Sequence, residues 1–309
     1  MNKKSIEFID IVSTLIISAT VFLLPIFFLT NTTESFNLPK QFLVILSVLI
    51  LLIVFGLKTV IERRVVLNVN PLNLPLGIFG AIILISAILS RNRFDSLIQT
   101  MPVVAALLLF FHVVNFVRNR KNFSIILSAL VLGATASSLI TILYYFKIYL
   151  PFLNIQNQFF NPLGSVIQQL IYLAPVLIFS LFFLAKKAGF PKVIISTDVI
   201  NVYSFFINLL SSAAILAGIV LIAYQIIVLP NKPVLLPYIY GFQTAAATIT
   251  QDAQRFILSL LAGSGYGTFA IDFTRFKLPS FNLEQDIWNL TFSFSSSYFL
   301  ELIATTGLL

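Results

Sequence analysis

Residues 41–57 read QFLVILSVLILLIVFGL. Seventeen residues pass without a charge. An α-helix rises about 1.5 Å per residue, so such a run makes an apolar cylinder approaching the ~30 Å hydrocarbon core of a bilayer. Comparable uncharged stretches fall at 11–29, 72–89, 100–117, 123–146, 166–184 and 203–229. Backbone polar groups find no water in hydrocarbon, so each stretch must satisfy its own hydrogen bonds as a helix. A β-barrel would instead show runs of about ten residues with polar and apolar positions alternating, and none of these runs alternates. The predicted fold is all-α: a polytopic transmembrane helical bundle of about seven complete spans.

Composition leads to the same class. The chain is 59% hydrophobic and 10% charged, with 32 Phe in 309 residues, more apolar surface than a soluble domain can hide. Its formal charge of +8 would point to nucleic acid in a soluble protein. Here the charges sit in short segments between apolar runs, with no nucleic-acid motif among them, so topology is the better reading and nucleic acid is not an expected partner. With no Cys and a single His, the chain has no disulfides, thiol catalysis or thiolate sites, and it lacks the ligands for a His-based metal cluster.

Orientation follows from the flanks. Lys3 and Lys4, then Lys58, Arg63 and Arg64, then Arg118, Arg120 and Lys121, then Lys186, Lys187 and Lys192 all fall on one side of the spans. The short loops of the other side hold only Lys40, Arg91, Arg93 and Lys147. The positive-inside bias therefore predicts a multi-pass protein of the cell (inner or plasma) membrane with a cytoplasmic N-terminus, and places residues 230–296 outside. The first run follows Lys3 and Lys4 as in a signal peptide, but it is too long for an h-region and lacks a clear small-residue cleavage site, so it should stay as an anchor.

The outer segment, 230–296, is where the chain changes character. It carries Asp252, Asp272, Glu284 and Asp286 together with Lys232, Arg255, Arg275 and Lys277. Between Phe242 and Leu260, apolar residues recur at three and four, predicting an amphipathic helix on the outer membrane face or roofing the bundle. Glycines at 263, 265 and 267 in GSGYGTF should end that helix and turn the chain. The last residues, SSSYFLELIATTGLL, open another membrane helix, the start of an eighth span. Only thirteen residues remain from Ser297 to Leu309, so the chain is expected to stop inside that span. No internal repeat or linker divides it, which predicts a single membrane domain over 1–309.

These features together resemble the O-antigen ligase and polymerase family of bacterial envelope glycan enzymes. That family shows a G-x-G-x-x-x-F element in its large external loop, matched here by Gly263, Gly265, Gly267 and Phe269. A later His-Asn-x-Tyr-Leu-Glu-like element, ending in a Thr-Gly-Leu-like turn, is matched at Leu300, Glu301, Gly307 and Leu308. The match covers about forty-five residues. Counting back from Gly307, the family's His falls on Ser296 and its Asn on Ser297. The only histidine, His112, lies near the end of the fourth span, where with Asn115 it reads as an interhelical hydrogen-bonding residue.

The resemblance implies transfer of a glycan from a polyprenyl-diphosphate carrier to a glycan or lipid acceptor at the outer leaflet, with no cofactor, metal or nucleotide. Diphosphate oxygens suit guanidinium groups, which make them Arg91, Arg93, Arg255 and Arg275 as substrate-binding candidates. A base is needed for the acceptor hydroxyl, and Glu301, Asp252 and Asp272 are the catalytic candidates, Glu301 first because apolar surroundings should raise its pKa. Each has a plainer reading: Arg255 pairing with Asp252 at i, i+3, Arg91 and Arg93 anchored at lipid headgroups, Arg275 as a solvated charge. The glycine element has neither dinucleotide-binding spacing nor a Walker lysine. A second class of function stays open, a transporter or flippase of envelope lipids or a non-catalytic relative that binds the carrier. Against a transporter, the ionisable residues gather outside the spans and no inverted repeat is visible.

The topology is directly testable in this cysteine-free chain. A Cys introduced at Ser280 should react with a membrane-impermeant maleimide from the outer face; reaction only from the cytoplasmic face would overturn the orientation.

Overall fold

Every uncharged run becomes a helix in the computed structural model, which describes residues 3–32, 34–68, 70–117, 119–151, 155–187, 202–228, 234–251, 255–283 and 288–308. α1 covers Lys3–Leu23, α2 Asn37–Glu62, α3 Asn73–Leu89, α4 Arg93–Phe116, α5 Arg120–Tyr145, α6 Val166–Lys187 and α7 Val202–Val228. Six of these are long and apolar enough to cross a membrane, and α3, at 17 residues, sits at the lower limit of such a length. α1 closes at Leu23 and not at residue 29, because Pro25 disfavours helical geometry in the residue before it. Four shorter helices follow: α8 Tyr238–Thr250, α9 Phe256–Ala262, α10 Phe269–Phe276 and α11 Tyr298–Thr306, with a 3-10 turn at Pro279–Leu283. No strand occurs among the described residues. The chain is an all-helical polytopic membrane protein.

The exposed surface says the same. Ile171, Ile178, Leu210 and Ile227 are each about 70% exposed on helices whose other faces are packed. Large side chains stay outside where the surrounding medium is as apolar as they are.

By its contacts the chain divides into two compact units, Met1–Leu67 with His112–Lys232, and Asn68–Phe111 with Pro233–Leu309. In the first unit α1 packs on α2 and α5, and α5 packs on α6 and α7. Val131 and Ala134 of α5, Leu173 and Val176 of α6, and Ile215 and Ile222 of α7 form its core. Small and polar residues bring the helices together: Thr20 donates to Ser47 at 2.8 Å between α1 and α2, and the buried Gln169 donates to Ser137 Oγ at 3.0 Å between α6 and α5. Lys58 of α2 pairs with Asp10 of α1 and lies 5.0 Å from the Phe116 ring, so a charge that is costly in apolar surroundings is met on two sides. His112 is fully buried beside Phe55 and stacks on Phe116.

In the second unit α8 packs on α9, α10 and α11, and α3 packs on α9 and α11. The core is Leu236, Ala245, Phe269, Phe273, Phe281, Leu300 and Ala304, with Tyr240, Phe273 and Phe292 set edge-on to neighbouring rings. One amphipathic helix over 242–260 was the expectation, and two helices stand there. The buried face of α8 is Gly241, Thr244, Ala245 and Thr248, while the bulky Phe242 stays exposed, as do Phe256 and Ile257 of α9. Small residues let backbones approach and make most of this face, and Ile249 is the one large apolar residue of α8 buried with them. Thr244, Thr248 and Thr250 satisfy their hydroxyls on carbonyls four residues back. The helix expected at the end of the sequence forms over nine residues, and at Gly307 the chain turns so that the Leu308 N–H donates to the Leu260 carbonyl.

The glycine element closes α9 and is gripped on both sides, as its spacing predicts. Gly263 ends α9 at φ +67°, and a Cβ there would stand 2.3 Å from the Thr305 carbonyl carbon. Gly265 has φ +124°, with a Cβ position 2.0 Å from Ser90 Oγ. Gly265→Ala should therefore lower the thermal midpoint in detergent sharply, with a cost of about 2 kcal/mol or more from strain and overlap. Gly77→Ala is the control, since nothing lies within 4 Å of its Cβ position and helix propensity favours Ala by ~1 kcal/mol. Equal midpoints for the two variants would refute this account of the loop.

Candidate functional site

The segment 263–268 runs between two supports. On one side the Ser264 N–H donates to the Ala304 carbonyl at 3.2 Å, and the Gly265 N–H to the Thr305 carbonyl at 2.9 Å, both on α11. On the other, Ser90 Oγ donates to the Ser264 carbonyl at 2.9 Å, and Ser96 Oγ to the Tyr266 carbonyl at 2.7 Å. Ser86 of α3 also donates to the Thr305 carbonyl at 2.7 Å, which ties α3 to α11 directly. Backbone groups of an irregular loop are thus satisfied inside an apolar protein.

Against this loop lies a cavity of about 40 Å³ whose charged lining is Arg91, Arg255, Arg275 and Asp272. Ser264 and Thr268 also line it. At roughly 10–15 Å³ per water position, the space takes a group the size of a phosphoryl. Arg91 comes from the loop between α3 and α4. Arg255 stands at the start of α9 and gives one Nη2–H to the Leu89 carbonyl, which fixes the guanidinium while other donors remain on the fork. Arg275, in the last turn of α10, lies 4.7 Å from the Phe276 ring. Among the described residues, three guanidiniums and one carboxylate line the cavity, a balance that favours an anion.

Asp272 is 4% exposed, in the first turn of α10 where the helix N-terminus favours negative charge. Ser264 donates to its Oδ2, and Thr268 Oγ1 lies 3.5 Å from the same oxygen. Ser264 and Thr268 hydroxyls are themselves 2.8 Å apart. Thr268 gives its proton to the Gly265 carbonyl at 2.6 Å, so Ser264 is the hydroxyl that holds the carboxylate, which can accept a proton from a group that binds next to it.

The other sequence candidates fall elsewhere. Arg93 opens α4, is exposed, and is not among the residues lining the cavity. Asp252 lies outside the described residues, as do Glu284 and Asp286. Glu301, in the first turn of α11, also does not line the cavity; its Oε2 accepts the Ser295 N–H at 3.3 Å. Ser296 has a buried Oγ beside Gly241 that finds no hydrogen-bond partner among the described residues. Ser297 caps α11. Among the cavity residues that sequence reading missed are Ser264 and Thr268, whose available signal was their place inside the glycine element, and Asn92, Thr248 and Ser259, which carried none.

Glu301 is near the Tyr266–Tyr298 pair, whose hydroxyls are 3.3 Å apart. Burial raises the Tyr266 phenol first of all, with the Tyr298 hydrogen bond and the Glu301 charge adding to it. Burial likewise raises the Glu301 carboxyl above its usual range, partly opposed by the Ser295 N–H. A carboxyl with a raised folded pKa stabilises the fold below its unfolded value, and that contribution is lost as pH climbs through the folded value. The wild type should therefore lose thermal stability relative to Glu301→Gln as pH rises from about 4 to 8. Parallel profiles for the two proteins would show that Glu301 ionises without cost.

Comparison of the chain with protein-family models, with curated proteins and with solved structures found no match in any of the three.

Proposed function

We propose that this membrane protein transfers a glycan from a polyprenyl-diphosphate carrier to a hydroxyl acceptor at the outer leaflet, as an envelope glycan ligase or polymerase. The observation that carries the reading is the convergence of Arg91, Arg255 and Arg275 with Asp272 on one cavity. A diphosphate ester is recognised by multiple charge-assisted donors, and three guanidiniums lining one cavity supply them. The basic flanks support placing this cavity on the outer side.

In this scheme the acceptor oxygen forms a bond to the anomeric carbon as the bond from that carbon to the diphosphate oxygen breaks. The hydroxyl proton passes to the Asp272 carboxylate, and the guanidiniums take up the negative charge that grows on the departing diphosphate. Asp272 is preferred to Glu301 as the base because Asp272 shares the cavity with the arginines. Ser264 positions its carboxylate.

A second reading, a relative that binds the carrier without transferring the glycan, is favoured by Ser296 standing where the family carries His. Both are tested in proteoliposomes holding a labelled polyprenyl-diphosphate glycan and an acceptor. Asp272→Asn should cut transfer by about 10²-fold or more while carrier binding persists, and Arg275→Ala should weaken both. Binding without transfer in the wild type selects the second reading. Wild-type transfer undiminished in a folded Asp272→Asn protein would remove Asp272 as the base, and absence of carrier binding would overturn both.

A further inference from the structure

The first unit holds a separate, larger cavity between the beginnings of α1 and α5, of about 350 Å³. Its α1 wall carries Glu7 and Asp10, one turn apart on the same face; its α5 wall carries Lys121 and the amides of Asn119 and Asn122. Opposite charges therefore face each other across open space. Asp10 gives Oδ1 to Lys58, and among the described residues neither Glu7 nor Lys121 takes part in an ion pair. Two unlike charges this close to hydrocarbon, held apart rather than joined, are matched by a ligand with the complementary pair of charges.

The remaining walls say what kind of ligand this is. Ile11, Leu15 and Ile125 line the cavity and are also 53%, 58% and 39% exposed, so the polar pocket runs without a break into the apolar outer surface of the helices. A molecule seated there has a charged head among Glu7, Asp10 and Lys121 and an apolar body along Ile11 and Leu15. The volume suits a headgroup and its glycerol linkage.

We propose that this cavity binds a zwitterionic aminophospholipid headgroup, with the phosphate on Lys121 and the asparagine amides and the primary ammonium on Glu7 and Asp10. An ammonium has three N–H donors for the carboxylates, whereas a quaternary choline has none, so the site should discriminate between two lipids of identical net charge. This inference does not rest on the glycan-transfer reading, since it concerns a different cavity on different helices.

The test is native mass spectrometry of the full chain released from nanodiscs holding equal amounts of phosphatidylethanolamine, phosphatidylcholine and phosphatidylglycerol with matched acyl chains. The wild type should retain phosphatidylethanolamine over phosphatidylcholine by about tenfold, the worth of one or two charge-assisted hydrogen bonds. Glu7→Gln should reduce that preference severalfold, and Lys121→Gln should lower retention of all three lipids. Both residues are exposed, so the variants keep their packing. Equal retention of the ethanolamine and choline lipids by the wild type overturns the proposal, as does an unchanged preference in Glu7→Gln. Displacement of the lipid by soluble glycerophosphoethanolamine at equal concentration overturns the lipid source and assigns the cavity to a small zwitterion.

Discussion

The second unit depends on an irregular loop whose backbone is held by partners on both sides. Residues 263–268 are irregular backbone packed between helices, and the buried amides and carbonyls there need partners. Those partners come from both sides: α11 supplies the Ala304 and Thr305 carbonyls, and Ser90 and Ser96 supply hydroxyl donors. Glycine is required where the supports close in, since a Cβ at 265 would overlap Ser90. Because the loop is held from both sides, the residues that follow it are held too. Asp272 sits where Ser264 can donate to it, and Arg275 lies nearly one turn further along the same short helix.

The same physics accounts for the polar interior of the first unit. In hydrocarbon, burying large apolar groups gains little, and helices associate through small side chains and shared hydroxyls. Thr20 with Ser47 and Gln169 with Ser137 are of that kind. The Lys58–Asp10 pair extends the pattern to charge, since neither partner is tolerable alone at that depth. Placing the pair at the charged ends of α1 and α2 lets Asp10 serve both its partner and the cavity beside it.

Much of the fold was legible because apolar runs of bilayer length admit one structure. The helices from α1 to α7 follow those runs, and Pro25 explains the one early ending. What was not legible was the side of a helix that turns inward. The three-and-four spacing from Phe242 to Leu260 pointed to a buried apolar stripe, and Ala245 and Ile249 are buried, yet Phe242 and Phe256 are exposed and Thr244 and Thr248 are buried in their place. Periodicity reports amphipathicity relative to water, and it loses its sign where the outside is lipid. Pairings across long separations were equally hidden: nothing local marks Asp10 as the partner of Lys58. The candidate site was readable by residue class, because charges are rare in this chain and Arg91, Arg255, Arg275 and Asp272 stood out. Their grouping was not readable, and neither was the separation of Glu301 from them, since both depend on how α9, α10 and α11 meet.

In the proposed function, the three guanidiniums that line one cavity bind the diphosphate. The most direct measurement is phosphorus NMR of a short-chain prenyl diphosphate titrated with the purified protein. The account predicts that the wild type broadens and shifts the signals of both phosphorus atoms, that rising salt reverses the effect, and that the triple variant Arg91→Ala, Arg255→Ala, Arg275→Ala leaves the free-ligand spectrum. Spectra changed to the same extent by the wild type and the triple variant would contradict it.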